Sequence, residues 1–154
     1  MVSVLKIFSK IDCCKTVKVW YNIHGFNTFN ICVNVILMKT VLIIDDSAVM
    51  RRIMKNIVIA NGYQVIGEAK NGKIGVEKFK ELHPDIVTMD VTMDEMNGID
   101  ALRQIMKYNL KAKVIMVSSM GQDVIVREAI TLGAKGFILK PFDGRQVLDA
   151  FKRL

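Results

Sequence analysis

From Lys39 onward the chain alternates two hydrophobic periodicities, and the alternation predicts its elements. Thr40-Val-Leu-Ile-Ile-Asp45 is a short, nearly continuous apolar run ending in acid, the pattern of a strand buried on both faces of a parallel sheet. Ser47 then opens a helix in which Met50, Ile53, Met54, Ile57 and Val58 recur at helical spacing. Arg51, Arg52, Lys55 and Asn56 take its other side, and Asn61-Gly62 stops it. Tyr63 to Ala69 reads as a second strand. Asn71-Gly72 turns the chain into a helix around Ile74, Phe79 and Leu82, which ends at His83-Pro84 because the residue before proline disfavours helix. Ile86 to Asp90 is a third strand, Gly98 to Asn109 a third helix and Lys113 to Ser118 a fourth strand. Gln122 to Leu132 is a helix stopped by Gly133, Gly136 to Lys140 a fifth strand, and Asp143 to Arg153 a closing helix. Five βα units predict an α/β sandwich around one parallel sheet.

Residues 1–37 break this pattern. They contain no Ala, Glu, Gln, Arg or Pro, and they hold all three cysteines, Cys13, Cys14 and Cys32. A disulfide framework and a zinc site are therefore not expected in residues 38–154. A secretory signal would need an uninterrupted apolar stretch near the start, whereas the run from Ile31 to Met38 comes late and is broken by Asn34. A membrane span over Val19 to Met38 would carry four Asn, a His, a Gly and a Thr among its 20 residues. The reading favoured is an N-terminal extension outside the fold, with Met38 as the working start and 38–154 as the domain.

The overall charge of +7 invites a nucleic-acid partner until it is divided. Four Lys and one Asp in residues 1–37 account for +3, and 18 basic against 14 acidic side chains in 38–154 leave +4. With no basic run longer than a pair such as Arg51-Arg52, a phosphate-tracking surface is not expected. Neither His24 nor His83 has partners at metal-ligand spacing.

In open parallel sheets ligands bind in the crevice beyond the carboxyl ends of the strands. The predicted strand ends bring Asp45, Asp46, Asp90, Ser118 and Lys140 there. Each alone has a bland explanation, as a helix cap, a turn residue or a solvated strand end; their joint placement does not. Two carboxylates ~4 Å apart at an effective dielectric of ~20 repel by about 4 kcal/mol, so three together raise one another's pKa or need a cation. An all-oxygen set suits Mg²⁺. One carboxylate could then attack a phosphoryl group, while the metal, Lys140 and Ser118 neutralise and hydrogen-bond its oxygens.

Residues 38–154 resemble the receiver domain of two-component response regulators, most closely the single-domain chemotaxis regulators. The resemblance rests on Val-Leu-Ile-Ile-Asp45-Asp46-Ser47, Asp-Ile-Val-Thr-Met-Asp90-Val-Thr-Met and Met96-Asn97-Gly98. It continues through Val117-Ser118-Ser119-Met120-Gly121, Gly133-Ala134-Lys135-Gly136-Phe137 and Lys140-Pro141-Phe142. It implies a flavodoxin-like, doubly wound, five-stranded sheet in the order 2-1-3-4-5 with five helices. It makes Asp90 the phosphoacceptor and, with Asp46, a direct Mg²⁺ ligand; Asp45 would hold a metal-bound water and the backbone carbonyl of Thr92 would be a further ligand. Ser118 would move its hydroxyl onto the phosphoryl group, Lys140 would pair with the phosphoryl oxygens, and Phe137 would turn inward as the aromatic switch. The Lys140-Pro141 peptide is cis in the family.

Four positions qualify the resemblance. Asp94 stands where the family often has proline, Phe137 lacks the phenol of the best-known members, and by the resemblance Thr92 and Met120 would flank the phosphorylation site and influence autodephosphorylation. The output surface would lie on Gln122 to Leu132, Gly136 to Leu139 and Asp143 to Arg153, with Arg127, Lys135, Arg145 and Lys152 as contacts unless that face is merely solvated. The implied function is a stand-alone, monomeric, cytoplasmic phosphoprotein, not an independent enzyme. A histidine kinase would phosphorylate it on aspartate, it would dock phosphorylated on the flagellar motor switch, and a dedicated phosphatase could reset it. A phosphorelay intermediate feeding a histidine phosphotransfer protein, or an unphosphorylated Mg²⁺-dependent interaction module, are the alternatives. No nucleic-acid or membrane partner is expected, and the chain after Leu154 is expected to carry no output domain.

Enzymes on the same architecture fit less well. Asp45-Asp46-Ser47 would repel the phosphate of FMN, and neither Gly-x-x-x-x-Gly-Lys-Ser/Thr nor Gly-x-Gly-x-x-Gly occurs. A haloacid-dehalogenase phosphatase needs Asp-x-Asp on its first strand, but here the two acids are adjacent.

Overall fold

The computed structural model describes Val17–Trp20, Asn30–Val33, 38–119 and 123–154. The chain divides into two units, Met1–Leu37 and Met38–Leu154. In the first, β1 (Val17–Trp20) pairs antiparallel with β2 (Asn30–Val33), a pairing the hydrophobic pattern does not predict.

The second unit contains every strand of the five-stranded sheet. In chain order its elements are β3 (Thr40–Ile44), α1 (Ala48–Ala60), β4 (Gln64–Ala69), α2 (Gly72–Leu82), β5 (Ile86–Asp90) and α3 (Gly98–Tyr108). They continue as β6 (Val114–Ser118), α4 (Asp123–Thr131), β7 (Gly136–Leu139) and α5 (Gly144–Lys152). All pairings in this sheet are parallel, in the order β4-β3-β5-β6-β7. Counted within the unit this is 2-1-3-4-5, the flavodoxin-like order.

The alternation of side chains along each strand sorts the core into two layers. Leu42, Ile44, Val87, Met89, Val114 and Met116 face α2, α3 and α4, where Phe79, Leu102, Ile105 and Ala129 meet them. Val41, Ile43, Ile86, Ile115, Val117 and Ile138 belong to the layer of α1 and α5, built on Met54, Val58, Val147 and Phe151. Tyr63 closes this second layer edge-on against Phe151, their ring centroids 4.9 Å apart.

Helix starts follow local chemistry. The side chains of Ser47, Asn71 and Asn97 accept the backbone N–H three residues ahead, and Asp143 forms a capping box with Gln146. These caps place the first helical residue one later than a pattern that counts the cap, as at Asp143. At the other end of α2, His83 takes a left-handed conformation before Pro84 and its N–H closes on the Phe79 carbonyl. The predicted start of α4 at Gln122 lies outside the described residues.

Two side chains of α1 depart from the helical-face reading. Ile53 is 40% exposed and sits on the rim, since Met54 and Val58 already fill the contact with the sheet. Arg51, expected on the solvated side, instead folds back over the chain preceding the helix. Among the described residues no helix is long and apolar enough to cross a membrane.

Candidate functional site

The strands of the second unit end together because their registers are parallel: Ile44 lies beside Met89, Asp90 beside Val117 and Ser118 beside Leu139. The residues at or just after those ends, Asp45, Asp46, Asp90, Ser118 and Lys140, are thereby brought to one crevice. Asp45, Asp46 and Asp90 each offer a carboxylate oxygen, and these oxygens lie within 4.8 Å of one another.

Lys140 divides its charge between two of the acids, with Nζ 2.7 Å from Asp45 Oδ2 and 2.9 Å from Asp90 Oδ2. The other oxygen of Asp45 accepts the Ser47 N–H at 2.9 Å, so both are engaged. The Thr92 N–H donates to the Asp90 carboxylate, while the Thr92 side chain is exposed. Asp46 is exposed, and among the described residues its carboxylate has neither an ion pair nor a hydrogen bond. Three carboxylates face one ammonium.

Burial sets the titration of Asp90, and ion pairing that of Lys140. Asp90 is 5% exposed, and desolvation lifts its carboxyl above the ordinary range; the charge of Asp45 adds to the rise, while the hydrogen bond and charge of Lys140 and the Thr92 N–H oppose it. For Lys140 burial alone would lower the pKa. Its hydrogen bonds and charge contacts with Asp45 and Asp90 outweigh that and raise it, so the ammonium is held protonated.

Ser118 is buried at the end of β6, and the Lys140 N–H donates to its carbonyl at 2.7 Å, tying the end of β7 to it. The Lys140-Pro141 peptide is cis. Phe137 is half-buried on β7 and packs against the layer of α2, α3 and α4. Met120 lies outside the described residues. Asp94 is exposed in the loop after Asp90, followed by Glu95 at φ 63°.

Two residues matter here that a list of reactive side chains passes over. Gly98 donates its N–H to the Val91 carbonyl at 2.9 Å, and a Cβ at this position would fall inside the Asp90 carbonyl oxygen, so only glycine lets α3 start this close to the end of β5. Arg51 donates Nη1 to the carbonyls of both Asp45 and Asp46, at 2.8 and 3.1 Å. Its place in the basic pair Arg51-Arg52 gives no hint of that contact.

The donor set fits a hard divalent cation. Its atoms are carboxylate oxygens in excess of the nearby positive charge, one of them on Asp46, whose carboxylate has no ion pair or hydrogen bond among the described residues, and this is the chemistry Mg²⁺ requires.

A parallel sheet in this order, with three aspartates and a lysine at its carboxyl edge, defines a receiver domain. Residues 41–152 match the response regulator receiver domain, and the chain belongs to that family. It is 56% identical over 116 residues to the chemotaxis protein CheY of Thermotoga maritima, covering 75% of this chain and 97% of that protein. It is 50% identical to CheY of Bacillus subtilis over 113 residues, 73% of this chain and 94% of that protein. The crystal structure of the CheX-CheY-BeF3-Mg²⁺ complex from Borrelia burgdorferi matches with a TM-score of 0.72 at 38% identity, over 73% of this chain and 86% of that chain. The chain is a CheY-like receiver-domain response regulator, a signalling protein of a family that binds Mg²⁺ at an acidic cluster.

Proposed function

We propose that residues 38–154 are the working unit of a monomeric cytoplasmic regulator. A histidine kinase phosphorylates it on Asp90, and it docks, phosphorylated, on the flagellar motor switch. The observation that carries this reading is the pairing of Asp90 with Lys140 at 2.9 Å inside the acidic cluster, on a chain that is 56% identical to a chemotaxis protein.

An Asp90 carboxylate oxygen attacks the phosphorus of the donor phosphohistidine. The new O–P bond forms as the P–N bond breaks, and the electron pair leaves on the imidazole nitrogen, which takes up a proton. Asp46 and Asp90 would hold Mg²⁺ directly, Asp45 through water, and the Thr92 carbonyl would complete the protein ligands. When bound, the ion supplies positive charge against the phosphoryl oxygens. Lys140 is already protonated and within reach, so its ammonium exchanges the lost Asp90 carboxylate for a phosphoryl oxygen. Ser118, on the adjacent strand end, donates its hydroxyl to another.

The route outward runs along β7. Phe137 packs on the core layer beneath the crevice and also lines a shallow groove of about 320 Å³ between β7 and α5, with Leu139, Gln146, Asp149 and Arg153. A shift of Ser118 toward the phosphoryl group opens room for the Phe137 ring to turn inward, which changes the groove. A modification shifts such a pair of states only by its differential interaction with them, and here the contact with Ser118 provides it.

The test is binding of the whole chain to the flagellar motor switch protein, titrated with and without beryllofluoride and Mg²⁺. A tightening of about tenfold, equivalent to roughly 1.4 kcal/mol, is expected from coupling of this kind. Unchanged affinity contradicts motor-switch docking. Loss of phosphate from the phosphorylated chain to a histidine phosphotransfer protein instead identifies a relay intermediate.

A further inference from the structure

We propose that Arg51 is a positioning residue for the metal site, holding the Asp45-Asp46 backbone in the one orientation that keeps the Asp46 carboxylate in the cluster. The inference rests on the reading of the three aspartates as a Mg²⁺ site.

The three acids differ in what fixes them. The Asp45 carboxylate is tied to Lys140 and to the Ser47 N–H, and the Asp90 carboxylate to Lys140 and the Thr92 N–H. The Asp46 carboxylate has no such tie among the described residues, so its position depends on its backbone. That backbone is gripped by one guanidinium: Nη1 of Arg51 donates to two consecutive carbonyls, those of Asp45 and Asp46. Rotation of either peptide, which would swing Asp46 away from its neighbours, breaks one of these bonds.

Arg51 is itself braced. Its side chain is 19% exposed, and Nε lies 3.5 Å from Glu68 Oε2 on β4. Lys55 Nζ holds the other oxygen of Glu68 at 2.9 Å, and Lys78 Nζ donates to the Glu68 carbonyl. The Asp45 N–H meanwhile donates to Ala69, the next residue on β4, at 3.1 Å. The acidic segment is thus fastened to β4 twice, once through its own backbone and once through Arg51 and Glu68. A lysine at position 51 would keep the charge, but its single nitrogen could not hold the two carbonyls and Glu68 together, as Nη1 and Nε of the guanidinium do.

Charge and position predict opposite signs for its removal. A cation beside a Mg²⁺ site repels the ion, so by Coulomb's law alone Arg51→Met tightens Mg²⁺ binding. Loss of the positioning contact weakens it, as loss of groups that orient metal ligands generally does, by about tenfold or more.

The experiment is calorimetric titration of the full chain with Mg²⁺ alone, for the parent and for Arg51→Met, Arg51→Lys, Glu68→Gln and Asp46→Asn, with melting temperatures recorded without the ion. Weaker binding in both Arg51 variants, and a smaller loss in Glu68→Gln, is the expected result. Should Arg51→Met fail to fold, the charge-conserving Arg51→Lys gives the answer. Parent-like or tighter binding in Arg51→Lys overturns the proposal even where its melting temperature falls. The underlying reading fails separately: in that case the parent takes up no Mg²⁺, or Asp46→Asn binds it as well as the parent does.

Discussion

Thr88 sits in the middle of β5 with 2% of its surface exposed, on the face shared with Ile43 and Ile115, and its hydroxyl makes no hydrogen bond among the described residues. A buried hydroxyl with no partner costs more than the apolar group that would replace it, so Thr88→Val raises stability by about 1 kcal/mol. Chemical denaturation checks this, and a lower midpoint contradicts it. Two residues on, Asp90 carries a penalty of a different kind. Its carboxyl binds a proton more tightly folded than unfolded, chiefly because burial disfavours the charge. Its contribution to stability is therefore full below the ordinary carboxylate value of 3.8 and is lost as pH rises through the raised folded value. Asp90→Asn removes that loss, so without Mg²⁺ its melting temperature gains on the parent as pH rises through this window; a constant or shrinking difference contradicts the burial account. The acids and Lys140 are legible in the sequence because their chemistry is uncommon at the end of an apolar run. Arg51 is not legible, because the helical pattern assigns it a solvated face and only the folded backbone shows two carbonyls within its reach.

At the scale of elements β5 and α3 are locked by proximity. The Gly98 N–H reaches Val91, and Asn97 caps the helix by accepting the Asp100 N–H at 2.9 Å. Gly98→Ala has to move backbone rather than a flexible side chain, so it costs about 2–3 kcal/mol and displaces the end of β5. Thermal unfolding measures the cost, and a change within about 0.5 kcal/mol of the parent, as at an ordinary surface position, contradicts the close approach. The elements were readable because helices and buried strands impose different periods, and the breakers at Asn61-Gly62, His83-Pro84 and Gly133 coincide with real ends. Termini moved by a residue where a cap or turn residue intervenes. The strand read through to Asp45 stops at Ile44 because Asp45 turns its carboxylate back to the Ser47 N–H.

For the whole molecule, the parallel order follows from alternating strands and helices, whereas the convergence of the strand ends depends on register, which a sequence pattern leaves open until the sheet is built. The pairing of β1 with β2 was not readable, since the segment around it lacks both the helical and the strand period. What the assembled domain presents is one crevice in which three carboxylates and a protonated lysine face each other, and the account stands on Asp90 accepting phosphate there. The most direct measurement is the intact mass of the chain after incubation with a small acyl phosphate donor and Mg²⁺, beside Asp90→Asn. The account predicts one added phosphoryl group that requires Mg²⁺ and is absent from the variant. No added mass, together with no Mg²⁺-dependent rise in melting temperature on adding beryllofluoride, would contradict it.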